Sequence, residues 1–124
     1  MIRGIGIDVV QVSRIRHWLT DEGLLRRYFH SEEVEASRSR GDGAALSLAA
    51  RFAAKEAFGK ALGTGLRHFR LYEVQVQNDE LGKPNIVLHG NAQGALERVS
   101  GSRVLCSLTH EQDNAIAMIV IEGE

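Results

Sequence analysis

Two carboxylates and one lysine are the side chains of this sequence best suited to chemistry on a phosphate. Asp8 ends the segment Gly-Ile-Gly-Ile-Asp, and Glu56 and Lys60 lie four residues apart in a segment rich in alanine. Mg²⁺ is commonly held by one or two carboxylates together with waters and substrate phosphates. Asp8 and Glu56 could therefore share a divalent ion, with Lys60 beside it, if the two segments pack together.

The segment that carries Asp8 is predicted to be a β-strand over residues 2–10. One face of this strand presents Arg3, Ile5, Ile7 and Val9. The face that Asp8 shares carries only Gly4 and Gly6, because side chains alternate between the two faces of a strand. Glycines on one face indicate that a ligand or another backbone comes close, although a tightly covered packing site would show the same pattern.

The segment that carries Glu56 and Lys60 is predicted to be the longest helix, Ala44–Leu62. Its composition of alanine, leucine, lysine and glutamate favours a helix, and Gly63 follows as a left-handed C-cap. Glu56 and Lys60 share a flank of small residues. The pair could equally be an ordinary i, i+4 ion pair, and periodicity alone does not show that it meets Asp8.

The remaining segments alternate between short helices and strands. Helices are predicted over residues 13–19, 31–38 (with Ser31 as N-cap) and 91–99, a loop over 39–43, a hairpin of strands at 72–77 and 85–89, and strands at 104–109 and 115–121. In the first hairpin strand, alternation predicts that Gln75 is exposed. The last strand is apolar on both faces, which favours a subunit interface, although a central strand of a two-layer domain would look alike.

Composition limits the classes of protein to consider. The 124 residues predict a single domain over 1–124, and 15 basic against 16 acidic residues give a net charge of -1. The one cysteine, Cys106, excludes an intrachain disulfide and reads as a small core residue, and the longest apolar run is too short to span a bilayer. We expect a soluble, unprocessed cytoplasmic protein.

Common catalytic motifs are absent from the sequence. Val9 stands where a dinucleotide fingerprint needs its third glycine, and neither a P-loop, a serine-hydrolase motif nor a zinc-binding spacing occurs. The same Val9, with Val10 and Gln11 after it, also speaks against a fragment of an actin-like or sugar-kinase fold. His110 follows a predicted strand at the entry to a loop, a position suited to a ligand contact or proton transfer.

A local basic patch interrupts the near-neutral charge of the chain. Four arginines, Arg14, Arg16, Arg26 and Arg27, lie in or between the first two predicted helices with few acidic neighbours. The patch could steer an acidic partner, or it could be a solvated helix face.

Three segments together resemble the holo-acyl-carrier-protein synthases, which are small 4'-phosphopantetheinyl transferases. They are GIGIDVVQVSRI at 4–15, RFAAKEAFGKALGTG at 51–65 and SLTH at 107–110, with GKP at 82–84 and the chain length in agreement. The resemblance runs end to end, and the helix segment is its most specific part. It implies an α+β fold in which a mostly antiparallel sheet packs against a long central helix and shorter helices, in a trimer whose sites lie at subunit interfaces.

The resemblance also implies roles for the residues that match its segments. Asp8 and Glu56 would bind Mg²⁺, and Lys60 would lie against the phosphates of coenzyme A, the substrate. Residues expected to bind the coenzyme are Arg51, Lys60, Gly63, Thr64, Gly65, Gly82, Lys83, Pro84, Thr109 and His110. The proton acceptor stays open between Asp8, Glu56 acting through a water, and a second water.

The second substrate implied by the resemblance is acyl carrier protein, whose serine would receive the phosphopantetheine group. Because this carrier is acidic, the arginine patch gains a partner; Arg14 matches the motif directly, while Arg26 and Arg27 are placed by charge alone. Residues 66–71 match no feature of the family. A function of another class remains: a non-catalytic module that binds an acidic protein through its arginine face.

Overall fold

The computed structural model describes residues 1–124, and five strands and five helices follow one another along the chain. The strands are β1 (Ile2–Gln11), β2 (Val74–Asn78), β3 (Pro84–Leu88), β4 (Arg103–Glu111) and β5 (Asn114–Glu122). The helices are α1 (Val12–Ile15), α2 (Glu22–Tyr28), α3 (Ser31–Arg38), α4 (Ala44–Leu62) and α5 (Asn91–Arg98). The predicted α+β architecture, with antiparallel strands against one long helix, is confirmed.

The strands form two antiparallel sheets. β5 lies in the middle of a three-stranded sheet between β1 and β4, and β2 pairs with β3 in a separate hairpin. In the larger sheet Asp8 lies opposite Ala117, and Ile7 lies opposite Met118. This register puts Asp8 on the face of the sheet that is covered by α4, since neighbouring residues point to opposite faces.

Helix α4 packs across that inner face, and its bounds are those predicted from the sequence. A Cβ atom on Gly4 would collide with the carbonyl oxygen of Ala61, and one on Gly6 with that of Ala57. The glycine face of β1 therefore exists to let a helix backbone approach, which is one of the two predicted alternatives. Gly63 ends the helix at φ 82°, as its predicted C-cap role requires.

The segment between β1 and α4 differs from its prediction in three ways. The helix expected over residues 13–19 is α1 followed by a 3₁₀ turn at Arg16–Thr20, and helix α2 was not predicted. Ser31 is not the N-cap of α3: the Nδ1 atom of His30 accepts from Glu32 N at 3.1 Å, and Glu33 Oε1 accepts from His30 N at 3.0 Å. This capping box makes His30 the cap because both free backbone amides are satisfied there.

The hairpin β2–β3 corrects a further expectation. Gln75 was expected on an exposed face, yet only 2% of it is accessible, because it bonds Glu32 on α3 and His89 beyond β3. Alternation of polar and apolar residues failed here since the polar face of β2 packs on a second layer of polar side chains.

The outer face of the three-stranded sheet is apolar and exposed. Ile5, Ile7 and Val9 on β1 are 63%, 57% and 55% accessible, and Met118 on β5 is 41% accessible. The inner face of β5, from Ala115 to Ile121, is buried in the core. No helix of the chain is both long and apolar enough to cross a membrane.

Candidate functional site

Asp8 and Lys60 are in direct contact where β1 crosses the C-terminal half of α4. The Nζ atom of Lys60 lies 2.9 Å from Asp8 Oδ1 and donates a second hydrogen bond to the carbonyl oxygen of Ile7 at 3.0 Å. The contact depends on Gly6, because a side chain there would hold the strand away from the helix. The strand and the helix thus bring together two side chains that are 52 residues apart.

Glu56 completes this group, one helical turn before Lys60. Burial raises the pKa of Glu56, the negative charge of Asp8 raises it further, and Lys60 opposes the shift. The effect of Asp8 means that the two carboxylates are close enough to repel one another. We call Asp8, Glu56 and Lys60 the carboxylate site.

The carboxylate site has the chemistry of a divalent-cation site. It offers the oxygen atoms of two carboxylates, Asp8 and Glu56, and Asp8 is 17% exposed, so waters and phosphate oxygens can complete a coordination shell. Asp8 and Glu56 are therefore the residues that could hold Mg²⁺. Gly63, Thr64 and Gly65 follow α4 at the same end of the helix and are exposed.

A cleft of about 670 Å³ brings together most of the other predicted residues. Of the predicted coenzyme-binding residues it is lined by Arg51, Gly82, Pro84, Thr109 and His110. Lys83 is exposed in the β2–β3 turn and does not line the cleft. We call this feature the arginine cleft.

Arg51 is buried at the back of the arginine cleft with part of its hydrogen-bonding capacity unused. The residue is 5% accessible, its Nη1 donates to Ser47 Oγ, and its buried Nε has no hydrogen-bond partner. Burial lowers the pKa of Arg51, and Glu33 opposes that shift. An anion entering the cleft would meet a guanidinium whose charge is only partly neutralised.

Arg40 is a cleft residue that the sequence did not single out. It lines the cleft beside Arg51, and its positive charge also lowers the pKa of that residue. It lies in the segment predicted as a plain loop, and no spacing distinguishes it from nearby Arg38. Arg38 instead pairs with Glu22 at 2.5 Å.

The carboxylate site and the arginine cleft use different sides of α4. Arg51 and Glu56 are five residues apart, which corresponds to about 140° around a helix of 3.6 residues per turn. None of Asp8, Glu56 and Lys60 lines the arginine cleft. The predicted site residues thus fall into two groups in one chain.

The arginines expected to contact a partner are exposed. Arg14 and Arg16 lie at the end of α1 and in the turn that follows, and Arg26 and Arg27 lie in the last turn of α2. None of the four forms an ion pair within 4.0 Å. Their charges are therefore available to an acidic partner. We call these four arginines the arginine face.

Comparison with known proteins identifies the family. A family model described as the 4'-phosphopantetheinyl transferase superfamily matches residues 4–118. The chain belongs to this superfamily. A relative in Treponema denticola, named holo-[acyl-carrier-protein] synthase, is 54% identical over 123 residues, which cover 99% of this chain and all of the relative. The resemblance drawn from three sequence segments is confirmed.

Solved structures of transferases agree with the fold. Holo-[acyl-carrier-protein] synthase from Neisseria meningitidis superposes with a TM-score of 0.88 at 36% identity, covering 98% of this chain and 99% of the other. A holo-(acyl-carrier-protein) synthase from Bacillus anthracis, solved in complex with CoA (3',5'-ADP), superposes with a TM-score of 0.82 at 31% identity, covering 100% and 99%.

Proposed function

We propose that this enzyme transfers the 4'-phosphopantetheine group of coenzyme A to a serine of apo-acyl carrier protein and releases adenosine 3',5'-bisphosphate. The observation that carries the proposal is the carboxylate site, where Asp8 lies 2.9 Å from Lys60 and raises the pKa of Glu56. Membership of the transferase superfamily and the relatives named holo-[acyl-carrier-protein] synthase support the same reaction.

Phosphoryl transfer depends mainly on positioning and on stabilising negative charge. In the proposal Asp8 and Glu56 would hold Mg²⁺, which would supply positive charge to the pyrophosphate of coenzyme A. Lys60 donates hydrogen bonds to the phosphates and assists the departure of the nucleotide. The serine proton goes to Asp8, to Glu56 by way of a water, or to a second water.

The arginine cleft is proposed to bind the nucleotide end of coenzyme A. Arg51 and Arg40 carry the positive charge there and are proposed to attract the phosphates of the nucleotide. Thr109 and His110 near the end of β4, with Gly82 and Pro84 between β2 and the body of β3, line the same cleft. Gly63, Thr64 and Gly65, which are exposed after α4, are proposed to admit phosphates at the carboxylate site.

A homotrimer with shared sites is part of the proposal. The outer face of the three-stranded sheet is apolar and exposed, and such a face usually packs against another surface. The carboxylate site and the arginine cleft lie on different sides of α4, so a neighbouring chain can complete each site. In this arrangement residues 1–124 act as one domain of a cytoplasmic enzyme, and the arginine face binds the acidic carrier protein.

The test is a mass measurement on the carrier protein. Incubation of the enzyme with Mg²⁺, coenzyme A and apo-carrier is expected to add the mass of phosphopantetheine to the carrier, and a chelator is expected to stop the addition. Asp8→Ala and Glu56→Ala are expected to abolish it, and full activity of either variant would contradict the metal assignment. A protein that binds the carrier without modifying it would be the non-catalytic module instead.

A further inference from the structure

Lys60 already occupies the position that a cation would take at the carboxylate site. Its ammonium contacts Asp8 Oδ1 at 2.9 Å and the carbonyl oxygen of Ile7 at 3.0 Å. One ammonium group therefore supplies positive charge to a site that contains two carboxylates, Asp8 and Glu56.

The hold on Lys60 is weak. Its side chain is 56% exposed, and only two oxygen atoms, both on β1, bind the ammonium. Exposed ion pairs contribute little to stability, and lysine carries its charge on a flexible four-carbon chain. Lys60 can therefore exchange Asp8 for another anion without a change in the backbone.

Lys60 holds Asp8 Oδ1, one of the two oxygen atoms that this carboxylate can offer a divalent ion, and two cations on one carboxylate repel each other. We propose that Lys60 is an internal counter-ion, which fills the cation position of the free enzyme and moves to the phosphates of the substrate when a divalent ion enters. This inference rests on the proposed function. It implies that divalent ions bind weakly before the coenzyme and strongly with it.

The inference is tested on the free protein with Mn²⁺ as the probe, measured by electron paramagnetic resonance without coenzyme. Lys60→Met and Lys60→Gln, which remove the charge, are expected to bind Mn²⁺ about threefold to fivefold more tightly than wild type, the effect of removing one exposed ion pair. Lys60→Arg, which keeps the charge, is expected to stay close to wild type. Arg98→Met, an exposed arginine at the end of α5, controls for net charge alone.

Thermal unfolding without metal gives a second readout. Lys60→Met and Lys60→Gln are expected to have a lower Tm than wild type because their carboxylates repel one another, and Mn²⁺ is expected to restore it. Equal Mn²⁺ affinity in wild type and both neutral variants would overturn the inference. An increase in Mn²⁺ affinity in Arg98→Met as large as that in the neutral Lys60 variants would overturn it too.

A third measurement separates this inference from the proposed function. Coenzyme A is expected to tighten Mn²⁺ binding more in wild type than in Lys60→Met, because only wild type has a lysine to relocate. If wild type modifies the carrier but coenzyme A tightens Mn²⁺ binding equally in wild type and Lys60→Met, the counter-ion role is wrong and the transferase function stands. If wild type does not modify the carrier although the neutral variants bind Mn²⁺ more tightly, the transferase function is wrong and the counter-ion role stands.

Discussion

The ammonium group of Lys55 lies 2.6 Å from a carboxylate oxygen of Glu33, and neither side chain is accessible to solvent. Lys55 also donates to the carbonyl oxygens of Leu71 and Val74, and Glu33 accepts from Val76 N at 2.9 Å. The pair therefore ties α4 to α3 and to the start of β2. Lys55 lies one helical turn after Arg51 on the same side of α4, about 100° around the helix from Glu56.

Removing one charge of this pair should lower the free energy of unfolding substantially. Glu33→Gln leaves Lys55 and Arg51 buried without a negative charge, and breaking a buried pair in this way costs about 3–5 kcal/mol. Denaturant unfolding of the purified variant is expected to show that loss of stability.

Lys55→Met combined with Glu33→Gln is the matched control for that prediction. With both charges gone, part of the lost stability should return, since only Arg51 then stays buried without a negative charge. A double variant that is as unstable as the sum of the two single variants would mean that the side chains do not act as a pair.

Gly6→Ala is expected to separate β1 from α4. The added Cβ collides with the backbone of Ala57, which no rotamer change can relieve, so we expect a loss of roughly 3 kcal/mol or more, beyond the usual range of single substitutions. Gly94→Ala on α5 is the control: no atom lies within 4 Å of its Cβ, and a gain of about 0.4–1 kcal/mol is expected. Thermal unfolding distinguishes the two, and equal effects would contradict the close packing.

The pH dependence of stability reports on Glu56. The pKa of Glu56 is raised in the folded protein, mainly by burial, so the native state holds its proton more tightly than the unfolded chain. That contribution to stability is present below the ordinary glutamate pKa of 4.5 and is lost as the pH rises through the raised value.

Glu56→Gln is expected to remove this loss of stability at higher pH, because glutamine does not ionise. Without metal, the variant should be more stable than wild type at pH 7, by less than about 1 kcal/mol because solvent screens a half-buried group. The difference should disappear in acid, where wild type is protonated too. Urea unfolding at several pH values measures it, and a variant less stable than wild type at pH 7 would contradict the direction of the shift.

Arg14→Glu should weaken the use of the carrier protein alone. Charge reversal on the arginine face is expected to raise the KM for the carrier severalfold, more at low ionic strength, and to leave the KM for coenzyme A unchanged. Arg98→Glu makes the same change of net charge at the end of α5 and should not affect either KM. Equal losses for both substrates with Arg14→Glu would indicate misfolding.

Met118→Asp should break the proposed trimer. Met118 lies opposite Ile7 on the exposed apolar face, and a charge there cannot be buried between subunits without a partner. Light scattering is expected to give a trimer for wild type and a monomer for the variant, with transferase activity lost. Leu81→Asp, at a residue 95% exposed in the β2–β3 turn, should leave the mass unchanged.

The elements that hold the carboxylate site could be predicted because strong local patterns specify them. The bounds of α4 follow from its composition and Gly63, and the glycine face of β1 indicates a close approach. The sequence allowed Asp8 to meet Glu56 and Lys60 but did not require it. Periodicity gives the face of each element on which a residue lies, and not the packing between elements.

The buried ion pair of Lys55 and Glu33 could not be predicted from the sequence. Glu33 follows another glutamate in a first helical turn, where acidic residues are ordinarily solvated, and no pattern in the sequence of α4 marks Lys55 for burial. Both are buried because α3 and β2 cover that side of α4, a tertiary relationship between segments about 40 residues apart. Helix α2 was missed because its seven residues carry too little apolar periodicity.

Helix α4 carries Arg51 toward one surface and Glu56 and Lys60 toward another. The number of residues between them therefore fixes the relative position of the two sites. One residue inserted between Arg51 and Glu56 would turn everything after it by about 100° and shift it by about 1.5 Å, moving Lys60 off β1. Evolution can exchange many side chains of this helix, but it has little freedom to lengthen or shorten it. Natural insertions and deletions in this fold should therefore accumulate in exposed turns that carry no residue of either site.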